Sequence, residues 1–111
     1  MNPVVQEYSI RKRLRKLVVL YHPLCPACRL VKRLVKTQKL HRLYEYPIEF
    51  INVETRLGKE FAKLVGINFV PAVLTFEDRG WGLYEICVHK FKINEGVLDL
   101  ETVTCVEKEV T

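Results

Sequence analysis

The chain reads LVVLYHPLCPACRLVKRLV over residues 17–35, and most of its architecture follows from this stretch. Leu17–Tyr21 is a continuous apolar run, which is typical of a strand covered on both faces in a parallel sheet. The segment from His22 to Pro26 breaks that strand. From Ala27 to about Leu40 the apolar residues take helical spacing, opposite a basic face. The apolar face consists of Ala27, Leu30, Val31, Leu34 and Val35.

The next segment predicts a second strand and a second helix. Ile48–Val53 has strand composition, and Thr55 can cap the helix that follows it and ends at Gly66. The expected buried positions of that helix are Leu57, Phe61, Leu64 and Val65. A right-handed crossover would make the two strands parallel neighbours.

The remainder predicts a hairpin and a closing helix. Ala72–Phe76 and Leu83–Lys92 read as paired strands joined by a turn at Asp78-Arg79-Gly80. Residues 102–106 are rich in β-branched side chains, which prefer strands. We nevertheless predict a final helix, because the fourth strand leaves one sheet face needing cover.

The expected fold class is therefore α/β, a four-stranded mixed sheet flanked by helices in the order β-α-β-α-β-β-α. We expect residues 1–111 to form a single domain. Its core would span about 15–111, preceded by a basic extension over 1–16 in which residues 2–13 form a short helix.

The candidate chemistry lies in Cys25-Pro26-Ala27-Cys28, between the first strand and its helix. Unpaired N–H groups and the helix dipole favour an anion at Cys25, and a thiolate is such an anion. Pro26 suits the first helical turn, and one turn brings Cys28 back toward Cys25. The motif predicts two-step thiol–disulfide exchange in which Cys25 attacks a substrate and Cys28 releases it.

Two other interpretations of the motif stay open: half of a zinc site, or a structural thiol pair. Zinc would need two further ligands at suitable spacing, whereas Cys87 and Cys105 stand apart, so we expect no metal. We expect Cys87 and Cys105 to be two buried thiols, with a disulfide between them as the alternative.

Two segments together resemble the glutaredoxin and thioredoxin family of small disulfide oxidoreductases. They are Leu17–Val35 and Phe69-Val70-Pro71-Ala72-Val73, and the resemblance covers about residues 15–95. It implies a thioredoxin-like fold, catalytic Cys25 and Cys28, and a cis Val70–Pro71 bond facing them. It also implies substrate contacts at Pro26, Phe69, Val70 and Pro71. His22 is a candidate modulator of the Cys25 thiolate or, alternatively, a solvated loop residue.

The sequence departs from the family pattern at four places. Val19 replaces a buried Asp and Leu24 a Trp of thioredoxins. Phe69 replaces the Thr of glutaredoxins, and Asn94-Glu95-Gly96 is the nearest match to their Gly-Gly-x-Asp. The resemblance therefore implies a general protein-disulfide reductase without a bound cofactor. A glutathione-linked glutaredoxin, a redox-inactive binding module and a metal or iron–sulfur carrier are the alternatives.

Charge and hydropathy bear on partners and location. The formal net charge is +5, which favours anionic partners, although a solvated basic face is the simpler interpretation. No apolar stretch approaches the about 20 residues of a membrane helix, and no signal peptide is recognisable. We expect a cytoplasmic monomer whose partners are disulfide-containing proteins and an unidentified reductase or small thiol donor. We expect neither membrane association nor nucleic-acid binding.

Overall fold

The computed structural model describes residues 3–39 and 45–109, with side chains from residue 8 onward. These residues contain three helices, each followed by a strand, and two further strands at the end. Their bounds are α1 Pro3–Arg13, β1 Leu17–Tyr21, α2 Pro26–Thr37, β2 Ile48–Asn52, α3 Arg56–Val65, β3 Ala72–Gly80, β4 Leu83–Asn94 and β5 Val97–Glu109. Within the described residues, no helix is both long and apolar enough to cross a membrane.

The strands form one mixed sheet in the order β2-β1-β3-β4-β5. β1 and β2 are parallel, with Leu17 opposite Ile48, and the other neighbouring strands are antiparallel. The parallel first pair and the β3–β4 hairpin are therefore confirmed. The hairpin turn lies at Trp81-Gly82, beyond the predicted Asp78–Gly80 turn, because β3 continues to Gly80.

The predicted four-stranded sheet with a closing helix is wrong, because the last segment is β5. Asn94 pairs with Val97 across a two-residue loop, in which Glu95 and Gly96 have φ values of 50° and 80°. Two residues with positive φ turn the chain back in the sense of the sheet twist, which favours a hairpin. The β-branched residues after it then continue the ladder.

Helices cover both faces of the sheet, as predicted. On one face, Ile10 of α1 and Phe61 and Val65 of α3 pack in a core with Leu20 and Leu74. On the other face, Val31 and Val35 of α2 pack against Leu98 of β5. No described helix covers the rest of this second face, where β3, β4 and β5 lie side by side, and Cys105 there is exposed.

The local signals for the helices are mostly confirmed. Thr55 caps α3 by accepting the Gly58 N–H at 3.1 Å, and Gly66 ends it in the left-handed conformation. The predicted face of α2 is partly wrong. Ala27 is exposed and Leu30 is 43% exposed, while Cys28 is buried with Val31 and Val35.

Candidate active site

Cys25 is the N-cap residue of α2 and follows directly on the loop that leaves β1. Its Sγ accepts the Cys28 backbone N–H at 3.1 Å, and Pro26 occupies the start of the helix. The sulfur therefore meets one of the donors that a helix N-terminus leaves without a backbone partner. Such a donor stabilises a thiolate more than a neutral thiol.

The two thiols differ in exposure. Neither takes part in a disulfide; Cys25 is partly exposed, whereas Cys28 is only 4% exposed. Burial, and next the side-chain hydrogen bond with Cys25, raise the pKa of Cys28 to about 11 from an ordinary 9.0. Cys28 therefore keeps its proton at neutral pH, and Cys25 is the sulfur that an external partner can reach.

The segment before β3 lies beside the loop that carries Cys25. Ala72 pairs with Leu20, so Pro71 is placed next to Tyr21, where the chain leaves β1. The Val70–Pro71 peptide bond is cis, and both residues are partly exposed. The register of β1 and β3 thus brings two segments about 45 residues apart in sequence to one end of the sheet.

Phe69, a predicted substrate contact, packs against the hydrophobic core. Its ring packs against the core beneath α1 and α3, and the Lys90 Nζ lies 4.8 Å from the ring centroid. The residue is partly buried and so contributes to packing just before the Val70–Pro71 bond.

His22 turns its ring toward its own loop and toward α3. Its Nδ1 accepts the Leu24 N–H at 3.0 Å, and its Nε2 lies 3.3 Å from the Glu54 Oε1. Because Nδ1 is an acceptor there, the proton of the neutral ring is on Nε2, where it can reach Glu54. The link from His22 to Cys25 runs through the backbone, since its carbonyl accepts the Cys25 N–H at 3.1 Å.

Lys32 is a site neighbour that the sequence did not identify. Its Nζ lies 5.3 Å from the Tyr21 ring and 5.5 Å from the Phe50 ring, and those two rings meet edge to face. The basic stripe of α2 was visible in the sequence. Which aromatic rings it covers depends on how β2 packs beside β1, and no local pattern contains that information.

The two remaining cysteines form a disulfide. Cys87 and Cys105 lie directly opposite each other on β4 and β5, so the expectation of two buried thiols is wrong and the alternative is correct. Cys105 is exposed. Together with Glu85 they cluster donor atoms of the kind that bind metals, but both sulfurs are already bonded to each other.

The chain matches no protein-family model. It also matches none of the curated proteins. Among solved structures, it is similar to a thioredoxin from Thermus thermophilus determined in solution. The two chains share 14% sequence identity at a TM-score of 0.49, over 95% of this chain and 72% of that one. A likeness this distant leaves function to be argued from the site itself.

Proposed function

We propose that this protein is a thiol–disulfide oxidoreductase of thioredoxin-like fold that reduces or exchanges protein disulfides through Cys25 and Cys28. One observation carries the proposal. A partly exposed sulfur accepts a helix N-terminal N–H, and a buried, protonated thiol follows it by one turn. This asymmetry suits an attacking and a releasing cysteine.

In the first step, the Cys25 thiolate attacks one sulfur of a substrate disulfide. A bond forms between Cys25 and that sulfur, the substrate S–S bond breaks, and the other substrate sulfur leaves as a thiolate. The N–H of Cys28 stabilises the attacking anion before the bond forms.

In the second step, Cys28 attacks Cys25 and frees the reduced substrate. The hydrogen bond with Cys25 and the negative charge on Cys25 both raise the pKa of Cys28. Both effects are lost once Cys25 is bonded to the substrate. Cys28 then gives up its proton more readily, and that proton neutralises a departing substrate thiolate. The substrate gains two electrons, and Cys25 and Cys28 become a disulfide.

The segment before β3 is the proposed docking edge for the substrate. The β3–β4 ladder begins at Val73, so the backbone of Val70 lies outside it. An extended segment around a substrate cysteine can pair with such a backbone. Pro26, which follows Cys25 in the chain, and Pro71, which lies by the end of β1, would then contact the substrate.

Reduction of insulin by the protein with dithiothreitol tests the proposal. We expect turnover by the wild type and none by Cys25→Ser, while Cys28→Ser should accumulate a mixed disulfide with the substrate. The matched control is Cys87→Ser/Cys105→Ser, which removes the other two cysteines but should keep turnover. A wild type that never accelerates insulin reduction would instead be a redox-inactive binding module.

Glutathione is our proposed first electron donor to test. The exposed side of α2, the helix that Cys25 caps, carries Arg29 and Lys32, and their positive charges favour an anionic thiol. Insulin reduction should then proceed with glutathione and its reductase in place of dithiothreitol. Lack of turnover there, with turnover under dithiothreitol, would indicate another thiol or a protein reductase as the donor.

A further inference from the structure

The part of the sheet that no described helix covers contains a second pair of cysteines. Cys87 and Cys105 are cross-strand neighbours, and Cys87 is in turn opposite Thr75 on β3. Cys105 is exposed and Cys87 is partly exposed. A thiolate in solution can therefore approach this disulfide without any unfolding of the sheet, which is the first requirement for exchange.

A cavity leads to the same disulfide. It has a volume of about 640 Å³, and its wall includes Cys87, Thr75 and Glu85, with Arg15 and Lys16 from the segment between α1 and β1. Small-molecule sites typically measure about 300–1,000 Å³. The cavity is thus large enough to hold a small thiol compound next to Cys87, whose disulfide partner Cys105 is exposed to solvent.

This pair is separate from Cys25 and Cys28. Thr75 is three residues along β3 from Ala72, which is the residue beside Leu20 at the Cys25 end of β1. At about 3.4 Å per residue and about 4.8 Å per strand, the disulfide lies roughly 10 Å along the sheet and further across it. A ligand that fits this cavity therefore cannot contact Cys87–Cys105 and the Cys25 and Cys28 pair at the same time.

Carboxylates outnumber cations in the cavity beside Cys87: Glu77, Asp78 and Glu85 line it with Arg15 and Lys16, and Lys16 is itself paired with Glu49 at 3.5 Å. Glu77, Glu85 and Glu107 lie opposite one another on β3, β4 and β5. Along each strand they are two residues away from the row that contains Cys87 and Cys105. A Glu85 oxygen lies 3.7 Å from the Cys87 Sγ. Arg79 binds Glu85 at 2.7 Å and Glu77 at 3.1 Å and so offsets part of this negative charge.

We propose that Cys87–Cys105 is a second exchangeable disulfide and that its partner is a small aminothiol. The positive ammonium group of such a thiol would lie by Glu85 and Glu107 while its sulfur reaches Cys105. This goes beyond the function proposed above and does not depend on Cys25.

The exchange takes two aminothiol molecules. The first, as a thiolate, attacks the exposed Cys105 Sγ; the Cys87–Cys105 bond breaks, and Cys87 leaves as a thiolate that takes a proton from water. The second attacks the aminothiol sulfur of the mixed disulfide and releases Cys105, which also takes a proton. Two electrons pass from the aminothiols to the cysteines, and the aminothiol disulfide is the product.

Three thiols of similar size and different charge test the proposal: cysteamine, 2-mercaptoethanol and 2-mercaptoethanesulfonate. Each is added to folded Cys25→Ser/Cys28→Ser protein, and released thiols are alkylated and mapped by peptide mass spectrometry. The reduction rate of Cys87–Cys105 by each thiol is divided by the thiolate concentration. It is then divided by the rate of the same thiol with 2-hydroxyethyl disulfide, which corrects for intrinsic reactivity. We expect cysteamine to exceed the sulfonate by about five-fold at low salt, and the difference to vanish at 1 M salt.

Glu107→Gln should reduce the cysteamine preference. Glu101→Gln is its matched control, because Glu101 pairs with Lys90 and points to the opposite face of β5. If the double variant does not fold, the wild type serves, because peptide mapping separates the two cysteine pairs. A disulfide reduced only in urea, or equal normalised rates for all three thiols, would overturn the proposal without touching the role of Cys25.

Discussion

Cys25 and Cys28 are one helical turn apart, yet their surroundings assign them different chemistry. Cys25 is partly exposed and accepts a backbone N–H, whereas Cys28 is buried. Cys28 therefore holds its proton more tightly in the folded chain than in the unfolded chain. That difference links the protonation of a single thiol to the stability of the whole fold.

The reduced protein should lose stability as the pH rises from about 9 to about 11. Because burial raises the folded pKa of Cys28 to about 11 from 9.0, its contribution is complete below pH 9 and lost as pH passes the folded value. The loss should be on the order of 2 kcal/mol. Urea unfolding at several pH values measures it, with Cys28→Ala as control. An identical pH slope in the two proteins would contradict this expectation.

His22 should affect turnover through the hydrogen bond that its Nδ1 accepts from Leu24, rather than through a charge on its ring. His22→Asn keeps an oxygen for the Leu24 N–H, in the way that the Asn52 Oδ1 accepts the Glu54 N–H at 2.8 Å. His22→Leu removes the acceptor and loosens the loop before Cys25. Insulin reduction should fall about three-fold in His22→Leu, the effect of one hydrogen bond, and stay near wild type in His22→Asn. Equal rates in all three proteins would leave His22 as a solvated loop residue.

Among the secondary-structure elements, α3 shows how closely a helix start can approach a strand end. Gly58 lies in its first turn and is buried. A Cβ at this position would meet the Asn52 carbonyl oxygen and lie 2.7 Å from the Val53 Cα. These are backbone atoms at the end of β2, so they cannot move aside as a flexible side chain would.

Gly58→Ala should therefore destabilise the protein, although alanine is the better helix former by about 1 kcal/mol. The helix must move away from β2, and we expect a net loss of about 1–3 kcal/mol, as for other overpacked sites. Urea unfolding measures the loss, and Lys59→Ala at the exposed neighbouring position is the control. A Gly58→Ala variant with a higher free energy of unfolding than the wild type would contradict this expectation, because α3 could then move away from β2 without loss of stability.

Across the molecule, the Gln38 side chain joins the end of α2 to the β4–β5 hairpin. Its Nε2 donates to the Gly96 carbonyl at 2.8 Å, and its Oε1 accepts the Leu98 N–H at 2.9 Å. Leu98 is 1% exposed and packs under Val31 and Val35 of the same helix. One amide and one leucine thus hold the last strand against α2, the helix that Cys25 caps.

Gln38→Ala should cost about 1–2 kcal/mol, the usual net value of two hydrogen bonds. Gln38→Glu keeps the acceptor for Leu98 but brings a carboxylate to the Gly96 carbonyl, so it should not restore stability. Hydrogen exchange at the Leu98 amide gives the local readout and should accelerate in Gln38→Ala, which removes its acceptor. Lys36→Ala, on the exposed side of α2, is the control; unchanged exchange in Gln38→Ala would contradict the link.

Local patterns in the chain were enough to place seven of the eight elements that the structure shows. The strand Leu17–Tyr21 is a continuous apolar run. The two ends of α3 are set by the hydrogen bond that Thr55 accepts and by the left-handed conformation of Gly66. The Cys25–Cys28 spacing at a strand-to-helix junction was equally local. These features depend on neighbours within about one helical turn, and a reader of the sequence can evaluate them directly.

Long-range packing settled the remainder. Residues 97–109 satisfy either a helix that covers the sheet or a strand that extends it, and the Glu95-Gly96 turn with the Gln38 contacts selects the strand. The same choice places Cys105 opposite Cys87, 18 residues away in the chain, and leaves that sulfur exposed. Which structure this segment adopts depends on the difference in free energy between two complete folds. That difference comes from contacts between residues that are distant in sequence.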